Sequence, residues 1–511
     1  MCKACTLTLL FVLVALSCGL IGCAGSDACG SRTNDTQAKL LECVTVDGVR
    51  KHLTALQAIA DDHGGNRAAG TSGYDASIAY VVDTLQDAGY ETELHAFDFA
   101  FEPPASLQQI APVKATYETG NIRGSGTGTV SGPVIPVDLA LGEEPWPADP
   151  FNSTSGCEAS DFDGLDFSGP SDIALLQQGA CIFSAKASNA EKAGAEAVIF
   201  FVEEAFVYRA DQYVGTAALL LDGSPSNLTI PLIGVRFPQS VALSQEGVEA
   251  IVDAASAKVV TEVNVLAELP GGESGEVVMV GAHLDSVHGT PGISDNGSGS
   301  AAILETAVQM SKVKPRNTVR FAWWGTGSDL IGSKAYVNGL SQEARDEIAL
   351  YLNFDMIGSP NHGFFIFDGD YSDSKDTALP PAGSAEIEKL FESYYAELGL
   401  PFKSIKFSGS SDHGSFIDAG IPVGWLFTGA EGVKTEEEVE LWGGTTGDRY
   451  DPCYHLACDT FDNINFEALD VNSDAAAYSV LQYAMNTEEV NGVRGKGNFQ
   501  LDPGVGPMPS K

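Results

Sequence analysis

Runs of apolar residues that end in polar clusters set the rhythm of this chain. Residues 277–282 (Val-Val-Met-Val-Gly-Ala), 318–325 (Thr-Val-Arg-Phe-Ala-Trp-Trp-Gly) and 349–356 (Ala-Leu-Tyr-Leu-Asn-Phe-Asp-Met) are near-continuous in hydrophobicity. Such runs predict strands buried on both faces of a sheet. Upstream, apolar positions recur at helical spacing over 49–60 and over 73–89, where Ile78, Val81, Val82, Leu85 and Ala88 share one face. A polar turn, residues 66–73, separates these helices, and 91–101 alternates as a strand. A Gly-rich loop over 292–299 opens a further helix over 300–311. Alternating strands and helices predict an α/β layer, with the opening helix pair belonging to the same layer as the central strands.

Residues 103–262 interrupt that rhythm. They begin at Pro103-Pro104, are rich in Val, Gly and Thr, and carry short strand-like runs, including 173–183, followed by a helix over 186–195. They read as an insertion of a small β-rich module.

Composition narrows the partners. The chain has 511 residues, 44% of them hydrophobic, and suits a soluble globular protein of two or three domains. Its 69 acidic against 28 basic residues, net −41, repel nucleic acid and anionic membrane, so no nucleic-acid partner is expected. At the N-terminus, Lys3 and an apolar core over 9–16 precede Leu20-Ile21-Gly22-Cys23, which resembles the cleavage box of bacterial lipoproteins. This predicts an exported protein, extracellular or in the cell envelope, with a lipid anchor at Cys23; simple cleavage near 24–26 and free secretion is the rival. No other segment reaches the ~20 apolar residues of a membrane span. Setting aside Cys2, Cys5, Cys18 and Cys23 leaves six cysteines, an even number suited to an oxidising compartment. Local pairing would join Cys29 to Cys43, Cys157 to Cys181 and Cys453 to Cys458, though the sequence does not choose among the connectivities. A zinc–thiolate site lacks the Cys-x-x-Cys spacing it needs.

Candidate chemistry collects where the strands run out. His283 can offer an imidazole nitrogen to zinc, and Asp285, two residues on and on the same side, can accept the proton of the other nitrogen. Asp295 lies in the Gly-rich loop, positioned to bridge. Asp355 ends the third run, and His455 sits in the loop over 451–460 that a Cys453–Cys458 disulfide would stiffen. Sites at carboxyl strand ends are the rule in α/β sheets.

Two resemblances sharpen these expectations. Phe183, Lys186, Asn189, Ala190, Gly194 and Ala195 match the pattern of the protease-associated (PA) domain, a lid module without catalytic residues, which implies a role in access or partner selection for the insertion. Residues 46–101 with 263–487 resemble the co-catalytic zinc aminopeptidases of metallopeptidase family twenty-eight through Gly281-Ala282-His283-Leu284-Asp285-Ser286, Ser294-Asp295-Asn296-Gly297-Ser298-Gly299, Asn353-Phe354-Asp355-Met356-Ile357-Gly358 and Tyr454-His455. The resemblance implies a three-layer α/β/α fold with a mixed, mostly parallel central sheet. It divides the chain into a leader (1–22), an N-terminal part of the peptidase domain (23–102), the inserted PA domain (103–262), the main peptidase part (263–487) and a tail (488–511). It assigns Zn2+ to His283, Asp295 and Asp355, with Asp295 bridging to a second ion held by His455. Asp285 and Tyr454 take catalytic roles, Tyr454 polarising the substrate carbonyl, and peptide or protein N-termini are the substrates. His413, in the matching Ser410-Ser411-Asp412-His413-Gly414 segment, is implied to be a supporting or structural residue.

One departure outweighs the matches. The family's second strand ends Trp-Gly-Ala-Glu-Glu, the first Glu being the general base and the second a zinc ligand. This chain reads Trp324-Gly325-Thr326-Gly327-Ser328-Asp329-Leu330-Ile331-Gly332, without either glutamate and one residue shorter. Asp329 is the only nearby acid and a poor substitute in reach and register. The expectation is one tight zinc, a weakened second site, and either slow aminopeptidase activity or a catalytically impaired binding protein of peptidase shape. A single-zinc glutaminyl cyclase is disfavoured because that site also needs a glutamate.

Overall fold

The computed structural model describes residues 26–101, 103–117, 119–141, 153–202, 213–216, 227–272, 275–373, 380–406 and 409–493. The leader, Cys23 and the residues after 493 lie outside them.

Helix Val46–Asp62 starts where the Thr45 hydroxyl accepts the amide of Gly48, and it buries Val49, His52, Leu53, Leu56 and Ala60 along one stripe. Helix Ser72–Asp87 follows and buries Tyr74, Ser77, Val81 and Leu85. Both pack on one face of an eight-stranded sheet that runs Thr92–Phe101, Lys258–Leu269, Thr318–Trp324, Val277–His283, Ile348–Phe354, Val423–Phe427, Phe365–Phe367, Lys403–Ile405. The four strands at its centre are parallel to one another, and antiparallel pairs flank them. Every residue of Val277–His283 and of Ile348–Phe354 is buried, as parallel strands covered on both faces require. Two apolar clusters cover the sheet, one built with helix Ser298–Met310 and the 20-residue helix Phe466–Met485, the other with Tyr336, Phe416 and Ile417. The mixed, mostly parallel α/β/α architecture is the one expected.

Gly281 shows how tightly the centre is built. The indole Nε1 of Trp324 donates to the hydroxyl of Tyr351 at 2.9 Å, linking the strands on either side of the histidine strand. A Cβ on Gly281 would fall 2.4 Å from that hydroxyl and 2.5 Å from that nitrogen. Only glycine lets the bond cross there.

The insertion forms a separate sheet of nine strands among the described residues, with its own cores. Its expected end at 262 falls inside a strand of the main sheet: Lys258–Leu269 pairs with the whole length of Thr92–Phe101, and Phe101 lies opposite Lys258. The excursion therefore leaves and returns at one edge of the main sheet, at about 102 and 257. The boundary at 487 also moves, because Val490 joins the main core and the Asn491 amide donates to the Ala349 carbonyl at 2.7 Å. Within the insertion, helix Phe183–Ala193 ends on Gly194 in the left-handed conformation, and buried Lys186 donates to the Ser155 carbonyl. Burial lowers the Lys186 ammonium to about 8. Three disulfides form with the local pairing: Cys29–Cys43, Cys157–Cys181 and Cys453–Cys458.

Candidate metal centre

The histidine strand ends at His283, and the chain then turns to bring Asp295 and Asp355 against its ring. His283 Nε2 lies 3.1 Å from Asp295 Oδ1 and 3.5 Å from Asp355 Oδ1. One ligand atom from each of these residues falls within 4.8 Å of the others. The second oxygen of Asp295 is 2.8 Å from His455 Nε2, so Asp295 bridges the two histidines. Tyr454 stacks on His455 with ring centroids 3.8 Å apart, and the Cys453–Cys458 disulfide closes the short loop that carries both.

Electrostatics fit a cation. Burial pulls the His283 imidazole down, but Asp355, Asp285 and Asp295 outweigh it and hold the ring well above its ordinary value. Burial pushes Asp295 up, while hydrogen bonds from His283 and His455 hold it well below the usual carboxylate range. Asp355 Oδ1 is buried with no hydrogen-bond partner, a costly state for a carboxylate oxygen that a metal ion would relieve. Once a cation displaces the proton held on His283, an imidazole and carboxylate set of this kind suits zinc.

Neighbouring groups fix the ligands. The Ser411 hydroxyl donates to Asp355 Oδ2 at 2.6 Å and itself accepts from Asn353 Nδ2 at 2.9 Å. Asp459 accepts the amides of Ser294 at 2.7 Å and Asp295 at 3.1 Å, tying the bridging loop to the end of the disulfide loop. His413 is fully buried, stacked on Trp425, with Nδ1 3.5 Å from the Asn353 amide, a structural position. Ser411 lies in the matching 410–414 segment and Asp459 in the loop over 451–460, but neither carried a signal of its own, since a serine or aspartate in a loop is common.

Asp285 differs from expectation. The nearer partner of His283 Nδ1 is the main-chain carbonyl of Asp285, at 3.0 Å, with the carboxylate at 3.5 Å. Asp285 Oδ1 instead accepts the amide of Gly327 at 3.0 Å. Gly327 lies in the turn that follows Trp324-Gly325. Thr326 and Leu330 both adopt left-handed backbone, at φ 57° each, and Gly327 folds in against the histidine. A Cβ on Gly327 would fall 2.3 Å from Cγ of His283. Asp329 is exposed at the far side of this turn and does not join the buried ligand cluster.

Comparison with known proteins decides the family. Residues 264–480 match the model of peptidase family M28 and residues 130–243 that of the PA domain. An aminopeptidase of Pseudomonas aeruginosa is 44% identical over 467 residues, covering 89% of this chain and 84% of the relative. The chain belongs to peptidase family M28. A probable lipoprotein aminopeptidase of Mycobacterium tuberculosis is 39% identical over 456 residues, covering 88% of this chain and 87% of that protein. Among solved structures, BSAP, a zinc aminopeptidase from Bacillus subtilis, aligns with a TM-score of 0.61 at 21% identity over 90% of this chain and 98% of that one, a likeness of fold. In this M28 member His283, Asp295, Asp355 and His455 come together beside the turn that holds Gly327.

Proposed function

We propose that this M28 member is an exported, zinc-binding aminopeptidase-like protein that engages peptide or protein N-termini and hydrolyses them far more slowly than its active relatives. The observation that carries the proposal is Gly327. In the family pattern the stretch after Trp-Gly supplies the general base, and here a bare Cα lies against the His283 ring, so the nearest backbone offers an amide where a carboxylate would be needed.

A zinc ion bound by His283, Asp295 and Asp355 would supply Lewis acidity toward water and a substrate carbonyl. The chain's own residues orient that chemistry. Asp285 and its carbonyl fix the His283 ring, Ser411 fixes Asp355, and Asp459 fixes the loop of Asp295. Tyr454, on the disulfide loop, presents a phenol able to hydrogen-bond a carbonyl oxygen. Among the described residues, the turn after Trp324-Gly325 offers no carboxylate to take the proton from the attacking water, a contribution worth about 10²–10⁴-fold in rate. The same loop favours a second reading, a binding protein of peptidase shape with negligible turnover.

The second ion is weakened because, among the described residues, only His455 and a share of Asp295 remain to it, fewer than the three protein ligands of a catalytic zinc site. Export rests on the leader, and the lipoprotein relative supports an anchor at Cys23. The PA-containing insertion would govern access of the substrate. The experiment is zinc content of the mature protein after dialysis: one equivalent is expected, and two equivalents surviving dialysis would contradict the proposal.

A further inference from the structure

Arg67 has no place in the motifs, yet it lies beneath the candidate metal centre. It belongs to the polar turn between helices Val46–Asp62 and Ser72–Asp87 and is 0% exposed. Its guanidinium meets three main-chain carbonyls: Nη1 donates to Leu284 at 2.5 Å, Nη2 to Gly292 at 2.6 Å and Nε to Pro291 at 2.8 Å. Its own amide donates to the Ser286 hydroxyl at 2.9 Å, and the Ser286 amide returns to the Arg67 carbonyl at 3.3 Å. Leu284 directly follows the ligand His283, while Pro291 and Gly292 lead into Asp295. One side chain therefore ties together both ends of the loop that joins two ligands.

Burial of a guanidinium on neutral carbonyls is expensive and lowers Arg67 to about 10, and Asp285, Asp459 and Asp295 offset part of that cost through space. A planar fork with several fixed donors suits three carbonyls, whereas an ammonium on a flexible stem cannot reach all three. We propose that Arg67 is a positioning residue for the metal centre: it fixes the spacing between His283 and Asp295 by clamping the loop 284–292. This rests on the metal-binding reading above.

Two roles for a buried cation near a divalent site make opposite predictions. As a mere countercharge to the acids, Arg67 would repel the ion, and removing it would tighten binding. As a clamp, its removal loosens binding, since outer partners of metal ligands are typically worth about 10–100-fold in affinity. The test is calorimetric titration of the metal-depleted full chain with zinc, for wild type, Arg67→Met and Arg67→Lys, with circular dichroism confirming that each is folded. The clamp predicts a zinc Kd raised about 10–100-fold in Arg67→Met and by less in Arg67→Lys. Unchanged or tighter binding by folded Arg67→Met would overturn it. Hydrogen–deuterium exchange of the metal-free proteins gives a reading that does not depend on zinc. Arg67→Met should lose protection over 284–297 while Ile348–Phe354 keeps it, and equal protection over 284–297 would overturn the clamp. Should wild type fail to bind zinc, the metal reading falls, and the exchange experiment alone decides for or against the clamp.

Discussion

Two neighbouring strands end side by side, and the sequence has treated them differently. Val277–His283 and Thr318–Trp324 pair in register from Val277 opposite Thr318 to His283 opposite Trp324. The first runs into the cluster of His283, Asp295 and Asp355, each held by a partner. The second runs into a turn with two left-handed non-glycine residues, no carboxylate on the site, and a glycine pressed on the histidine. On the proposed reading, metal ligation and base catalysis are separable parts of one site, and a change at the second strand end leaves the first braced. The altered turn is not slack: Gly327 bonds Asp285, and the Thr326 hydroxyl donates to the Gly325 carbonyl at 2.6 Å and accepts the Gly332 amide at 3.2 Å.

The largest effect should come from the intact side. His283→Ala removes a ligand that both Asp295 and Asp355 face, and zinc binding in a calorimetric titration should become undetectable. His455→Ala should leave the tight site largely in place, because His455 meets Asp295 through Oδ2, not through the Oδ1 that faces His283. Equal losses in both variants would mean that the two histidines share a single ion.

Next, the rebuilt side can be challenged directly. Gly327→Glu should not restore hydrolysis, and it should weaken zinc about 10–100-fold, because its Cβ displaces the ring that the ligand set surrounds. Replacing residues 326–329 by a five-residue Ala-Glu-Glu-containing segment, which returns the missing residue, should raise turnover by about 10²–10⁴-fold. A gain from Gly327→Glu alone would show that the turn can swing away.

The insertion should matter less to either strand end. Joining 101 to 258 by a short turn should give a hairpin, since Phe101 and Lys258 are already partners, and the shortened protein should fold and keep its zinc. Insolubility of that variant would argue that the two sheets depend on each other.

A smaller effect concerns Asp412. Burial, reinforced by Asp355 and Asp285 and opposed by His283, pushes its carboxyl from 3.8 up to about 7. A raised folded value means that its contribution to stability is full below the unfolded value and is lost as pH rises through about 7. In the metal-free protein, Asp412→Asn should therefore gain in melting temperature relative to wild type between pH 4 and 8, and a constant difference across that range would refute it.

Much of this was legible in the sequence, for physical reasons. Fully buried parallel strands announce themselves as unbroken apolar runs, and 277–282 and 349–356 did so; helix Val46–Asp62 was visible in its 3.6-residue stripe. His283 and Asp355 stood out because candidate ligands sit where such strands end, Asp295 because of its Gly-rich loop, and His455 because of the loop that the Cys453–Cys458 disulfide closes. The insertion's end near 257 was missed because Lys258–Leu269 alternates like the β-rich module before it. Arg67 was missed because its partners are main-chain carbonyls far along the chain, which leave no side-chain pattern. The contact of Gly327 with His283 follows from the shortened turn and cannot be seen in residue types alone.

The central claim is that the site holds zinc without a competent base. It is tested most directly by the steady-state release of p-nitroaniline from leucine p-nitroanilide by the zinc-loaded protein, measured beside the Pseudomonas aeruginosa aminopeptidase. The account predicts a kcat about 10²–10⁴-fold below that relative. A kcat equal to the relative's would contradict it and would mean that another acid takes the proton.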